Sequence, residues 1–166
     1  VLVHDSTEQE RKGLGVRRMY RALAPWSTEN PQMLHVTSTD PDVLKRAVDQ
    51  CADVGFEMVI VSFWSGLDME DVSEANIAKF RGIHAYAKAR GIELGGYSLL
   101  ASRRIDDGND AINPKTGKPG GAIFGNSPCL LSKWGDQYFR KVTAFLDGTG
   151  FDLLEHDGSY PGDVCA

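Results

Sequence analysis

The sequence predicts an α/β fold: a (β/α)8 TIM barrel, of which these 166 residues supply about the first four β/α units as one partial domain over residues 1–166. Three observations point there. Strand-like and helix-like segments alternate, which implies a parallel sheet with right-handed crossovers. An open doubly wound sheet shares that alternation, but no glycine-rich turn follows the first predicted strand, which weakens its nucleotide-binding form. Polar and aromatic residues gather after each predicted strand, where a barrel builds its active site: Glu29 and Asn30, then Trp64 and Asp68, then Tyr97 and Ser98, then Glu155 and Asp157.

The elements follow in order. Val16 to Leu23 reads as the first strand, ending in the loop Pro25 to Pro31. Asp40 is a helix N-cap with Pro41 at the first helical position. Val43, Leu44, Ala47, Val48 and Cys51 then form an apolar stripe that Gly55 ends. Glu57 to Phe63 is a nearly continuous apolar run, the pattern of a strand buried on both faces. After an acidic loop, Ser73 caps a helix over Asn76 to Arg90, with Ile77, Phe80, Ile83 and Ala87 on one face. Gly91 closes it, and Ile92 to Leu100 is the third strand. Residues 103–128 are too long and too rich in glycine, proline, Asp and Asn for an ordinary connection, and read as a functional or a mobile loop. Ser132 caps a helix through Leu146, and Phe151 to Leu154 is the fourth strand, running into Glu155-His156-Asp157-Gly158.

Composition narrows the function. Hydrophobic residues make up 42% and charged residues 25%, as in ordinary globular proteins. A net charge of -5 gives a nucleic acid or an anionic membrane no electrostatic support, and no apolar run is long enough to span a bilayer. The chain begins without Met, carries no signal-peptide pattern and ends abruptly, so it reads as an internal stretch of a longer protein. Three cysteines, Cys51, Cys129 and Cys165, fit no zinc spacing; Cys51 falls in a helix, whereas Cys129 and Cys165 fall in loops and suit a pair if the protein is exported.

Side chains alternate along a strand, so Leu153, Glu155 and Asp157 share one face and Leu154 and His156 the other. Two carboxylates on an inward face at a barrel mouth suit nucleophilic or acid–base chemistry. A bare Glu-His-Asp triplet is more often a strand end and a turn; its place after a fourth apolar strand favours the functional reading.

At this point the sequence resembles the retaining glycoside hydrolases of the α-galactosidase clan. Gly91-Ile92-Glu93-Leu94-Gly95-Gly96-Tyr97-Ser98 is similar to a strand of that clan, and Asp152-Leu153-Leu154-Glu155-His156-Asp157 is similar to its nucleophile strand. The resemblance covers residues 20–163. It implies that Asp157 is the nucleophile, that Cys129 and Cys165 are a disulfide pair, and that the acid–base carboxyl lies on a later strand, beyond Ala166. It further implies a carbohydrate substrate, no cofactor, no metal, a secreted or periplasmic protein of polysaccharide metabolism, and the remainder of its own barrel as partner. Two positions depart from the clan: Ser62-Phe63-Trp64 stands where an Asp-Asp pair is usual, and Glu155 where a lysine is usual. Both are sugar-binding positions, so the departure bears on which sugar is bound more than on the reaction.

Candidate sugar contacts are Glu155, Trp64, Tyr97, Asn30, Glu29, Tyr160 and Asp163. Trp64 and Tyr97 are as often core as stacking residues, Asn30-Pro31 is equally a turn, and Tyr160 and Asp163 equally an ordinary loop. Trp26, Trp134, His84 and His156 read as structural. Arg103 and Arg104 suit an acidic sugar or, more commonly, a plain surface. Two alternatives stay open. One is a metal-dependent sugar isomerase or hydrolase using Glu155, His156 and Asp157, against which strand alternation argues. The other is a non-catalytic carbohydrate-binding barrel.

Overall fold

Four short apolar segments that cannot bury themselves singly pair side by side in the structure, a computed structural model that describes residues 7–26, 31–100, 102–120, 125–158 and 164. The chain forms two compact units, Val1–Gln32 and Met33–Ala166.

In the first unit, helix α1 spans Thr7–Leu23. This corrects the expected strand at Val16 to Leu23. Val16, Met19, Tyr20 and Leu23 are spaced at i, i+3, i+4 and i+7, which is the helical period. All four are exposed.

In the second unit, the first strand is instead β1, Met33–Val36. It is followed by α2 (Pro41–Val54), β2 (Met58–Val61), α3 (Glu74–Lys88), β3 (Glu93–Leu99), a two-residue hairpin of β4 (Ile112–Asn113) and β5 (Lys118–Pro119), α4 (Lys133–Thr149) and β6 (Leu153–Asp157). The helix starts follow from their caps. The Asp40 carboxylate accepts from the backbone N–H groups of Asp42 and Val43 at 2.8 and 3.0 Å. The Ser73 and Ser132 hydroxyls accept from the N–H groups of Asn76 and Gly135. Gly55 and Gly150 end α2 and α4 in the left-handed conformation that favours glycine.

The sheet order is β1-β2-β3-β6, all parallel. Each strand therefore lies beside the strand before it, and right-handed crossovers put α2, α3 and α4 on the same face. The packing agrees. Leu44, Val48 and Cys51 of α2, Phe80 and Ile83 of α3, and Tyr138, Val142 and Phe145 of α4 share one core with Val36, Val59, Val61 and Leu94 of the sheet and with Leu100 just after β3. A doubly wound sheet would reverse direction and place a helix on the other face; these four strands do not reverse.

The face away from the helices is concave. His35 on β1 and Glu155 on β6 lie on opposite outer strands, three strand spacings apart, or about 14 Å on a flat sheet. Yet His35 Nδ1 is 3.6 Å from Glu155 Oε2. Side chains standing perpendicular to a flat sheet do not meet over that span, so the sheet curls toward them. Two glycines in β3 make room for this. A Cβ on Gly95 would crowd Leu153 and Ile60 on the concave face, and one on Gly96 would crowd Met69 and Leu67 on the helix face.

Residues 102–120 and 125–131 form a folded excursion between β3 and α4. The Asp106 carboxylate accepts from the Gly108 N–H and the Asn109 side-chain amide, while Asn109 Oδ1 accepts from the Trp134 N–H. Asp110 is fully buried, with Oδ1 accepting from the Ile105 N–H. Ile112 pairs through both backbone hydrogen bonds with Val164, beyond β6. Cys129 is disulfide-bonded and Cys51 is a free buried thiol; Cys165 lies outside the described residues. At the other end of the sheet the Asp152 carboxylate accepts from the Leu94 N–H and faces His84 Nε2 at 3.3 Å, fastening β6 to β3 below the strand tips. Among the described residues no helix is long and apolar enough to cross a membrane.

Two substitutions test this packing by urea unfolding. Asp40→Ala removes the α2 cap and is expected to cost about 1 kcal/mol. Gly135→Ala drives a Cβ to 2.1 Å from the Leu130 carbonyl oxygen; it is expected to cost about 1–3 kcal/mol or more, since backbone must move. A third expectation concerns pH. His156 turns toward α4, its ring 6.1 Å from that of Tyr138. His156 keeps an exposed edge, but the loss of water where its ring packs lowers its pKa from the ordinary 6.5, against the opposing charge of Asp157. The unfolded chain then takes up the proton first, so stability falls as pH drops from about 6.5 toward the lowered folded value. An imidazole NMR titration midpoint at or above 6.5 would contradict this.

Candidate active site

Parallel strands deliver their C-terminal ends to one edge of the sheet, and alternation decides which side chains reach the concave face there. From β1 comes His35; from the end of β2, Ser62; from β3, Tyr97; from β6, Glu155 and Asp157. Their neighbours along each strand face the helices. Ser98 Oγ shares a 2.6 Å hydrogen bond with the buried Tyr138 hydroxyl, and Leu154 packs on the core.

Two hydrogen-bonded groups result. In the first, the register sets Tyr97 opposite Glu155 and Leu99 opposite Asp157, so the Tyr97 ring leans one pair further along to Asp157. The Tyr97 hydroxyl donates to Asp157 Oδ2 at 2.5 Å. A phenol donor held on one carboxylate oxygen fixes the plane of the carboxylate. In the second group, His35 Nδ1 and Ser62 Oγ share a 2.9 Å hydrogen bond, and Glu155 Oε2 lies beside the same imidazole nitrogen. Glu155 Oε2 is sealed from solvent and has no hydrogen-bond partner, although about a third of the side chain (35%) is exposed.

An aromatic row leads outward from Asp157. Tyr97 is 5.4 Å, centroid to centroid, from Phe63, and Phe63 is 5.2 Å from Trp64. Trp64 is 84% exposed and adopts a left-handed φ of 61°. A bulky residue there costs on the order of 1–3 kcal/mol, a strain that the surrounding fold has to sustain.

Of the expected site residues, Asp157, Glu155 and Tyr97 are thus brought together, and Trp64 joins them only through Phe63. Glu29, Asn30, Tyr160, Asp163 and Cys165 lie outside the described residues. His156 is on the opposite face from Glu155 and Asp157. Among the described residues no three His, Cys, Asp or Glu side chains gather as a metal-binding group. Arg103 ion-pairs with Glu70 and stacks its guanidinium 4.8 Å over Trp134, and Arg104 pairs with Asp107. Both arginines are engaged by the protein's own carboxylates, which counts against the acidic-sugar role weighed for them.

His35, Ser62 and Phe63 were not anticipated. The signal for His35 was present: Leu34 and Val36 alternate with it in Met33-Leu34-His35-Val36, a period-two pattern too short to stand out. Ser62 and Phe63 were seen only as departures from the clan's acidic pair.

No protein-family model matches the sequence, and no curated protein does. Among solved structures, the chain is similar to a β-arabinopyranosidase, with a TM-score of 0.48 and 14% identity over 83% of this chain and 19% of that one. It is also similar to the galactosidase domain of the α-galactosidase–sucrose kinase AgaSK, with a TM-score of 0.46 and 14% identity over 76% of this chain and 21% of that one. The chain spans about a fifth of the length of each.

Proposed function

We propose that this chain is the nucleophile-bearing half of a retaining glycoside hydrolase barrel, similar to the α-galactosidases, acting on a carbohydrate without a cofactor or metal. The observation that carries the reading is the Asp157 carboxylate at the C-terminal tip of β6, on the concave face, with Oδ2 held by the Tyr97 hydroxyl. The sequential order of four parallel strands and the curl of the sheet support closure into a barrel with the remainder of the protein.

In this reading an oxygen of Asp157 attacks the anomeric carbon. The bond to the leaving oxygen breaks, and a glycosyl ester forms on Asp157. A second carboxyl protonates the leaving oxygen, then takes a proton from the water that hydrolyses the ester. That carboxyl belongs on a later barrel strand, beyond Ala166. Glu155 is a poor substitute, because it projects from the same strand and face as Asp157 rather than from across the mouth. Tyr97, Phe63 and Trp64 offer apolar surface to sugar rings. A Cys129–Cys165 disulfide would brace the segment after Asp157 in an exported protein.

The test uses the complete protein that carries these residues. Aryl α- and β-glycosides are expected to release their aryl group. Asp157→Asn is expected to lose at least about 10³-fold in kcat. Tyr97→Phe, which keeps the ring but removes the hydroxyl that donates to Asp157 Oδ2, is expected to lose about 10- to 100-fold. A fluorinated glycoside that traps the ester should add its mass to the peptide containing Asp157. Turnover that survives Asp157→Asn, a label on another residue, or a requirement for added divalent metal would sink the assignment.

A further inference from the structure

We infer, resting on the glycosidase reading of this same site, that His35, Ser62 and Glu155 choose the sugar: they accept neutral and amino sugars and turn away sugars carrying a carboxylate, sulfate or phosphate. The argument begins with depth. Glu155 projects from the same face of β6 as Asp157, two residues earlier, which sets it about 7 Å deeper along the strand. A pyranose with its anomeric carbon at Asp157 extends its remote hydroxyls in that direction. Depth alone would make Glu155 a wall. The contacts make it a recognition group. Its inner oxygen, Oε2, is sealed from solvent against His35, and the exposed third of the side chain is the stem and Oε1. A carboxylate so held offers Oε1 as an acceptor to a hydroxyl or an ammonium. His35 is kept in place by Ser62 Oγ at 2.9 Å and presents its imidazole edge beside it.

Charge then sets the class of sugar. A negative substituent at this depth would meet the Glu155 carboxylate, and like charges brought together without a counter-ion oppose binding. The two arginines that follow β3 do not relieve this, because Arg103 is paired with Glu70 and Arg104 with Asp107. The imidazole of His35 is the one cationic type beside Glu155 among the described residues, and it is shared with Ser62. A hydroxyl or an ammonium gains a hydrogen bond from the same carboxylate that an anionic group would confront.

The experiment compares three aryl glycosides of one hexopyranose that differ only at C6, remote from the anomeric carbon: the neutral hexoside, the 6-amino-6-deoxyhexoside and the uronide. The complete wild-type protein is expected to favour the neutral and amino compounds over the uronide by at least about tenfold in kcat/KM. Glu155→Gln keeps the shape and removes the charge, and is expected to narrow that gap at least severalfold, with most of the change in KM. Ser62→Ala, which releases His35, should raise KM for the neutral hexoside without reversing the preference. A wild-type preference for the uronide, or an unchanged ratio in Glu155→Gln, overturns the inference while the hydrolase reading stands. If no aryl glycoside is cleaved and nothing is trapped on Asp157, the hydrolase reading fails instead. Calorimetric titration with the free hexose, its 6-amino-6-deoxy analogue and the uronate then decides the inference alone: hexose binding that weakens in Ser62→Ala and exceeds uronate binding supports it, and equal or absent binding overturns it.

Discussion

A β-strand gives its side chains to two faces in turn, and three amphipathic helices claim only one of them. Everything else in the second unit depends on that division. Val36, Val59, Val61, Leu94 and Leu154 go to the helices. The intervening positions are left for a face with no helix to cover it, and at the strand tips those positions are His35, Tyr97, Glu155 and Asp157. Polar groups on such a face are tolerable only where they bond one another, and here they largely do, as Tyr97 with Asp157 and His35 with Ser62. The exception is Glu155 Oε2, a buried oxygen without a hydrogen-bond partner, 3.6 Å from His35 Nδ1. Unsatisfied polar atoms of this kind are costly in an interior and are a recurrent mark of ligand sites.

Curvature follows from the same division. Bulky side chains fill the helix face, whereas Gly95 on the concave face leaves Leu153 and Ile60 to close over the missing side chain. Gly96, its neighbour, lets Met69 and Leu67 press onto the helix face, which anchors the loop after β2. That loop carries Phe63 and Trp64, so the packing of one glycine bears on where the aromatic row stands relative to Asp157.

The parts of this fold legible in the sequence were those with a strong local cause. Asp40-Pro41, Ser73 and Ser132 announce helix starts by cap chemistry alone, and each caps its helix in the structure. Met58 to Val61 is apolar at every position and is buried at every position. The failures have equally physical causes. The expected strand at Val16 to Leu23 fails because its apolar residues recur at helical spacing, and the arginines at 17, 18 and 21 follow no alternation. Met33 to Val36 is only four residues long, and its one polar member, His35, belongs to the site rather than the core. Missing that strand hid His35, and with it the partner of Glu155. The alternation on β6 was legible, since it depends on nothing beyond the pleat: it separates His156 from Glu155 and Asp157.

The pairing of Ile112 with Val164 bears on how this chain is made. On the ribosome the excursion after β3 emerges well before its backbone partner, which appears only after α4 and β6 have left the exit tunnel. The hairpin of β4 and β5 must therefore wait with one edge unmatched while a whole βα unit is synthesised and docked. Domains acquire structure in the order of their synthesis, so the contacts on this excursion should mature late. Its order is a readout of whether the strand that bears Asp157 has already been seated.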